Sequence, residues 1–400
     1  VIPDFDILVI GKGLVGSAAA KYLSGSAGKV AVIGADEPGE SKSSLVYASH
    51  YDQARVQRIV GKDEVWTRLN FDSTEQYESI QKKSGIHFHY GIGCLYVNAY
   101  GEDDYLRNFS SLARKFDVTY KPIEHAEENY NDFGGLVFPG KAAGIIESNP
   151  SGYINPRLLI KAQLEITKQQ GGLIISDTVI KLSVRDNGSF LLETESGKTY
   201  STKQVLVATG SFINYFDILP QKLKLITKGE VVLLVKVDEE LLDRYSTLPS
   251  LLYEIDEDET EAIYLIPPVK YPDGNYYLKI GCNSPDDVFF DTLEQVQNWF
   301  RNSKSESYAP ARSRALQRLL PSLNLDDSFT KKCVISWTAT GRPYIGETAV
   351  KGLFLAGGCN GYSAMCSDAI GRVAAQLILN GNIPEDYPAN AFGIEYVDEE

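Results

Sequence analysis

Histidine occurs four times, tryptophan three times, methionine once and cysteine five times in 400 residues. Each shortage excludes something. The cysteines (Cys94, Cys282, Cys333, Cys359 and Cys366) are odd in number and scattered, without metal-ligand spacing or a disulfide framework. That pattern suits a reducing compartment, and a cytoplasmic location is expected. His87 and His89 alternate on an expected strand, but no convergent ligands accompany them, so no metal site is expected. Basic residues are outnumbered, 39 Lys and Arg against 53 Asp and Glu, giving a formal charge of −14. This argues against a nucleic-acid partner and against adhesion to an anionic membrane. No apolar run approaches the ~20 residues that span a bilayer. No charged-then-apolar leader follows Val1, so no signal peptide is expected. Internal repeats and low-complexity segments are also missing.

What is present is an ordinary globular mixture, 43% hydrophobic and 23% charged, in a chain long enough for two domains. One stretch organises it. Ile7 to Ile10 is a β-branched apolar run, as in a strand buried on both faces, and Ser17 to Leu23 reads as a helix. Between them lies G-K-G-L-V-G, with Gly11, Gly13 and Gly16 in G-x-G-x-x-G spacing around Leu14 and Val15. Strand, glycine turn and helix form the context of a dinucleotide site. Gly11 makes the tight turn, Gly13 admits the pyrophosphate, and Gly16 lets helix and strand pack closely. The helix N-terminus offers its free N–H groups to the phosphates.

Lys29 to Ile33 is the second strand of the unit, and an acid for the adenosine ribose is expected at its end. Gly34 stands there instead. Asp36 and Glu37 follow, and Asp36 is the favoured ribose ligand. Arg55 and Arg58, three apart, would share one face of a helix or its first turn, either as two solvated arginines or as an anion clamp beside the cofactor. Glu64 to Ser79 is an amphipathic helix with Trp66, Leu69, Phe71 and Tyr77 inward. His87 to Asn98 alternates like a strand pair that opens a β-rich domain. Helices are expected near 104–116, 157–169, 293–303, 309–320 and 367–379, with a meander of short strands over 172–202. Gln204 to Gly210 ends in V-A-T-G, and Gly352 to Gly358 is a second strand ending in glycine. Y-P-D-G at 271–274 is a turn between strands 262–267 and 276–281.

Together these stretches resemble the D-amino-acid-oxidase superfamily of FAD enzymes, and within it the monomeric sarcosine oxidase and N-methyltryptophan oxidase branch. The resemblance spans essentially the whole chain and rests on G-K-G-L-V-G, S-H-Y-D-Q-A-R-V-Q-R, V-A-T-G, Y-L-K-I-G, the Cys333 segment and G-G-C-N-G-Y-S. It implies FAD held covalently, by a thioether to Cys333. It places Ser49, His50 and Arg55 against the cofactor, with Tyr51 where the branch has a histidine. It adds Val179, Ala208, Thr209, Gly210, Gly358, Asn360, Gly361, Tyr362 and Met365 to the cofactor-binding set. Lys279 matches the lysine that holds a water at flavin N5 and promotes reaction with O₂. Arg58 matches one of two cations that grip the substrate carboxylate. The other is Met365 here. Two active-site histidines are replaced by Asn283 and Tyr362, and a tyrosine by Ile335. The cofactor machinery is thus largely kept while the substrate pocket differs. Tyr264, Trp337 and Tyr362 are expected as its walls.

The expected fold is α/β plus α+β: a two-dinucleotide-binding (Rossmann-like) FAD domain from 1–85, 145–215 and 330–385, and a mixed-sheet substrate domain from 86–144 and 216–329. Residues 386–400 are expected to form an acidic surface tail. The expected activity is that of an amine or amino-acid oxidase acting on a CH–NH bond, with an imine and H₂O₂ as products and sarcosine not the best substrate. Its partners are a small amine and O₂, in a monomer or small homo-oligomer. The alternatives are a same-fold FAD dehydrogenase using another acceptor, or a flavin-binding protein without catalysis. An NAD(P)-dependent dehydrogenase fits the glycine loop alone and leaves Cys333 and Lys279 unexplained.

Overall fold

The computed structural model describes residues 3–39, 44–123, 133–257 and 259–398. Two large sheets organise them. In the first, the strands Leu173–Ser176, Val30–Gly34, Phe5–Ile10, Thr199–Val207 and Leu353–Gly357 run parallel in that order. Val179–Val184, Phe190–Thr194 and Tyr344–Glu347 add antiparallel edges. The β-branched run is buried on both faces, as the strand pattern requires. Ile7 and Val9 enter one core with the helices Leu14–Ser24 and Ser367–Asn380, while Leu8 and Ile10 enter another with Val205, Val207 and Leu355.

The second sheet has nine strands, in the order Phe289–Phe290, Leu225–Val237, Tyr276–Asn283, Thr260–Lys270, Ser250–Glu257, Cys94–Asn98, Ala143–Glu147 and Tyr120–Ile123, with Ser328–Thr338 also paired to Leu225–Val237. One face is apolar: Leu233, Leu251, Leu265, Leu278 and Ile280 pack under Leu316 and Leu319 of the helix Ala309–Leu319. The period of two sends their neighbours to the opposite face. Register carries that face across four strands, because Tyr264 opposes Gly281, Val232 opposes both Gly281 and Lys331, and Glu230 opposes Cys333. Tyr264, Lys279, Asn283, Cys333 and Trp337 therefore lie on one side.

Several expectations change. Ser328–Thr338 belongs to the second sheet along its whole length, so the chain returns to the first sheet only at Tyr344, past the boundary at 330. Ala143–Glu147 likewise lies in the second sheet, past 144. His89–Tyr90 and Cys94–Asn98 do not pair with each other; the former joins a small sheet with Arg55–Gln57 and Gly152–Ile154. The helix Glu64–Ser84 runs a turn beyond its expected end, from an Asp63 cap to Gly85 in the left-handed region at φ 70°. The stretch expected as a surface tail is anchored to the first sheet's core. Tyr387, Ala391 and Phe392 are buried there, and Val397 N–H bonds the Lys222 carbonyl at 2.9 Å. Its acids made it read as solvated, but the buried aromatics decide its path.

Candidate active site

A deep cleft runs from the glycine loop to the second sheet, and Gly11, Gly13, Leu14 and Val15 line one end. Two of its glycines tolerate no side chain. Gly11 sits at φ 102°, and a Cβ there would stand 2.3 Å from the Ala208 carbonyl oxygen; one on Gly16 would stand 1.7 Å from the Gly11 oxygen. The loop thus presses on V-A-T-G, whose Ala208 N–H bonds Ile10 O at 2.7 Å. Ala208, Thr209 and Gly210 line the cleft, as do Val179 and the unforeseen Thr178. No side chain caps the helix Leu14–Ser24, so its first N–H groups remain available to a ligand.

The ribose acid is not where the spacing puts it for a packing reason. A Cβ on Gly34 would lie 2.6 Å from the Lys12 backbone nitrogen. Gly34 and Ala35 line the cleft. Asp36 does not; it pairs with Lys12 and bonds Ser176 Oγ at 3.1 Å, with its side chain 70% exposed. Glu37 is taken by Arg157. His50 lies along the loop, where a Gly13 Cβ would be 3.6 Å from its Nδ1. Burial pushes its pKa down to about 3, so it is neutral.

The other end of the cleft is made by side chains. Ser49, Arg55, Cys333 and Gly361 line it, with the unforeseen Tyr47, Phe212 and Ser336. Burial pushes the Cys333 thiol up, and the Arg55 guanidinium opposes that shift. Behind Arg55 lies a buried ion cluster. Lys279 Nζ donates to Asp52 Oδ2 at 2.7 Å and to the Ala54 carbonyl, and Arg55 donates to the same Asp52 oxygen. Burial raises the Asp52 carboxyl, but Lys279 and Arg55 outweigh it and hold it below the carboxylate range. Burial pushes Lys279 down to about 8 against the pull of Asp52. Lys279 is fully buried and does not line the cleft itself. Tyr264 lies over Gly281, where a Cβ would meet its ring at 2.5 Å.

Arg55 and Arg58 do not form one clamp. Arg55 opens a strand, not a helix, and the two point to different surroundings. The Arg58 guanidinium lies 4.9 Å from the Tyr105 ring centroid, and its Nε and Nη1 are buried without a hydrogen-bond partner. Tyr362 is among the groups acting on it. Tyr362 stands outside the cleft lining, between Trp66 (centroids 5.4 Å) and Trp337 (6.3 Å), with Lys62 Nζ 5.6 Å away. Asn283 and Trp337 line a separate depression, where Asn283 accepts from Lys228 at 2.8 Å. Met365 is buried, and its carbonyl accepts from the Tyr77 hydroxyl at 2.5 Å. Asn360, at φ 53°, is a brace: it bonds the Thr338 N–H at 3.0 Å and the Gly358 carbonyl at 2.7 Å. Gly358 must be glycine because a Cβ would lie 2.2 Å from Thr338 Cγ2. Gly16, Asp36, Gly358, Asn360, Tyr362 and Met365 thus shape the surroundings without lining the cleft. His89, on the small sheet, lies 2.8 Å from the Pro150 carbonyl oxygen.

The sequence model of the family described as FAD dependent oxidoreductase matches residues 6–377. The chain belongs to that family. It is 21% identical over 394 residues to the monomeric sarcosine oxidase of Bacillus sp. (strain B-0618), covering 96% of this chain and 94% of that one. It is 23% identical over 223 residues to the N-methyl-L-tryptophan oxidase of Yersinia pestis (strain Pestoides F), covering 54% and 56%. Among solved structures, its fold is similar to that of NikD, an unusual amino acid oxidase essential for nikkomycin biosynthesis, with TM-score 0.77, 16% identity and coverage of 99% and 98%. L-proline dehydrogenase from P. horikoshii follows, with TM-score 0.74, 18% identity and coverage of 98% and 97%.

The cleft fits the family's cofactor. The glycine loop and uncapped helix suit a pyrophosphate. Thr209 Oγ1 is buried on the cleft wall without a partner, as a donor or acceptor awaiting a ligand would be.

Proposed function

We propose that this family member is a flavin-dependent amine or amino-acid oxidase whose substrate carries a carboxylate and is larger than sarcosine. The observation that carries this is Arg58. Leaving two guanidinium nitrogens buried and unpaired is costly unless a ligand satisfies them, and a carboxylate is the charge-assisted acceptor a guanidinium favours. Tyr362, which acts on Arg58, and Trp337 beside Tyr362 offer flat apolar surface for a bulky substituent. The names of the similar proteins support the amine class.

In this reading Gly11–Gly16 would hold the adenosine end of FAD, Arg55 and Cys333 would hold its ring end, Cys333 through a thioether, and the cofactor would supply the two-electron oxidation of CH–NH to C=N with O₂ as the acceptor that becomes H₂O₂. Arg58 anchors the carboxylate and so orients the reacting carbon. The amine reacts in its neutral form, and the imine product hydrolyses in water. Positive charge around Arg55 and Lys279 stabilises negative charge arriving at the ring side of the cleft. A dehydrogenase using another acceptor is the second reading. It is favoured by the engagement of Lys279 with Asp52 and Ala54, which leaves that ammonium little capacity for a water.

The deciding experiment is anaerobic mixing of the yellow holoprotein with N-alkyl and aromatic amino acids. Bleaching by a carboxylate-bearing amine, lost on methyl esterification, is expected; no bleaching by any of them would sink the reading. Peroxide formed per turnover separates oxidase from dehydrogenase. Acid precipitation tests the attachment: colour should stay with the peptide containing Cys333 and wash away in Cys333→Ala.

A further inference from the structure

Asp52 stands where the fold brings two buried cations together. Its Oδ2 accepts from Lys279 and Arg55, and its Oδ1 accepts from the Tyr271 hydroxyl at 2.6 Å and the Gln53 N–H at 2.8 Å. It is 3% exposed and Lys279 is 1% exposed. An ammonium has three N–H bonds. Two go to Asp52 and the Ala54 carbonyl, and the Tyr264 ring stands 5.7 Å from Nζ. A carboxylate so fully satisfied is built to stay charged, and both cations are placed by it.

We propose that Asp52 is a positioning residue that clamps Lys279 behind the cleft and Arg55 on its wall and limits to one net positive charge what the three groups present to a bound flavin. This rests on the placement of the flavin ring beside Arg55 and Cys333 in the proposed function.

The charges can be counted. With Lys279 protonated, the three groups sum to +1. Burial sets Lys279 near 8, and Asp52 opposes its deprotonation. The other groups facing the pair are Arg55 at the start of Arg55–Gln57, Tyr264 on the adjacent strand, Cys333 and Lys331 on Ser328–Thr338 and, through Asp52, Tyr271 at the turn. At higher pH the sum is 0. Lys279→Met alone gives 0 at every pH. Of the three, Asp52→Asn combined with Lys279→Met leaves Arg55, which stays charged, and gives +1 at every pH, with Lys331 common to every variant. This double variant removes both members of the Asp52–Lys279 pair, so it does not strand an unpaired lysine in the interior.

Sulfite binding to the holoprotein reads this charge, because sulfite adds to an oxidised flavin and leaves negative charge on it. Dissociation constants, read from bleaching, are compared with those of Lys279→Met at the same pH, which cancels the titration of sulfite itself. Near pH ~6.5 the wild type should bind about tenfold tighter than Lys279→Met, and near pH ~9.5 equally. The double variant should bind about tenfold tighter at both. Asp52→Glu, which keeps the charge, should follow the wild type. If the double variant matches Lys279→Met at both pH values, the Asp52 proposal is overturned while the wild-type difference still supports the ring placement. If wild type, Lys279→Met and the double variant are all alike, the ring is not beside the cluster and both fall. A double-variant pattern in Asp52→Glu would also overturn it, since charge would not be what matters.

Discussion

The two ends of the cleft are built in opposite ways. At the glycine loop, backbone does the work: Gly11 and Gly16 are there because nothing larger fits, and the ligand contacts on offer are N–H groups and a helix end. At the sheet end, side chains from distant segments converge, with Asp52 meeting Lys279 across 227 positions and Arg55 meeting Cys333 on another strand. A backbone site binds whatever shares a pyrophosphate, and so it is general to dinucleotides. A side-chain site can be rewritten residue by residue without disturbing the cofactor's anchor.

That contrast can be broken or sharpened. The largest effect should come from Gly16→Val, which forces a side chain into the Gly11 carbonyl. The ratio of flavin to protein absorbance is expected to collapse, by more than about tenfold. Retained flavin would show that the backbone end is not the anchor. Arg58→Ala should leave flavin content unchanged and raise KM for a carboxylate-bearing amine roughly 10–100-fold, the value of a charge-assisted hydrogen bond. A matching loss of flavin would erase the distinction between the two ends.

His50 should govern acid sensitivity. Its folded pKa is pushed by burial from 6.5 to about 3. As pH falls through 6.5 the unfolded chain takes up a proton that the folded one refuses, so stability present above 6.5 is lost on the way down to about 3. Melting temperatures of His50→Asn should fall less steeply with pH over that window than those of wild type. Gly281→Ala should push the Tyr264 ring away from its seat and cost about 1–3 kcal/mol in thermal or urea unfolding. Asp36→Ala should do least. Its ion pair with Lys12 is exposed, so stability should change by less than about 1 kcal/mol and flavin occupancy should be near wild type. A large loss of flavin there would restore Asp36 as the ribose ligand.

Legibility in the sequence followed the same division. The first sheet and its glycine turn were readable because strand, turn and helix are contiguous and each glycine answers a local steric demand. Gly371 is not readable: a Cβ there would lie 2.5 Å from Ala18 Cβ, a demand set by a residue 353 positions earlier. Lys279 is picked out by the family resemblance, but nothing local marks its partner Asp52, 227 positions away. Arg55 and Arg58 were read as one face because their spacing suits a helix. The strand at Arg55–Gln57 separates them.

The sequence by itself determined a dinucleotide site, because a pyrophosphate site and a buried parallel strand impose rules on consecutive residues, and its resemblance along the whole chain pointed to FAD and the family. The tertiary structure alone decided that Ser328–Thr338 carries Cys333 into the second sheet, that Arg58 is left with unpaired nitrogens beneath Tyr105, and that Asp52 joins two cations into one charge. Those facts depend on which distant side chains are neighbours in a low-dielectric interior, and spacing along the chain does not encode that.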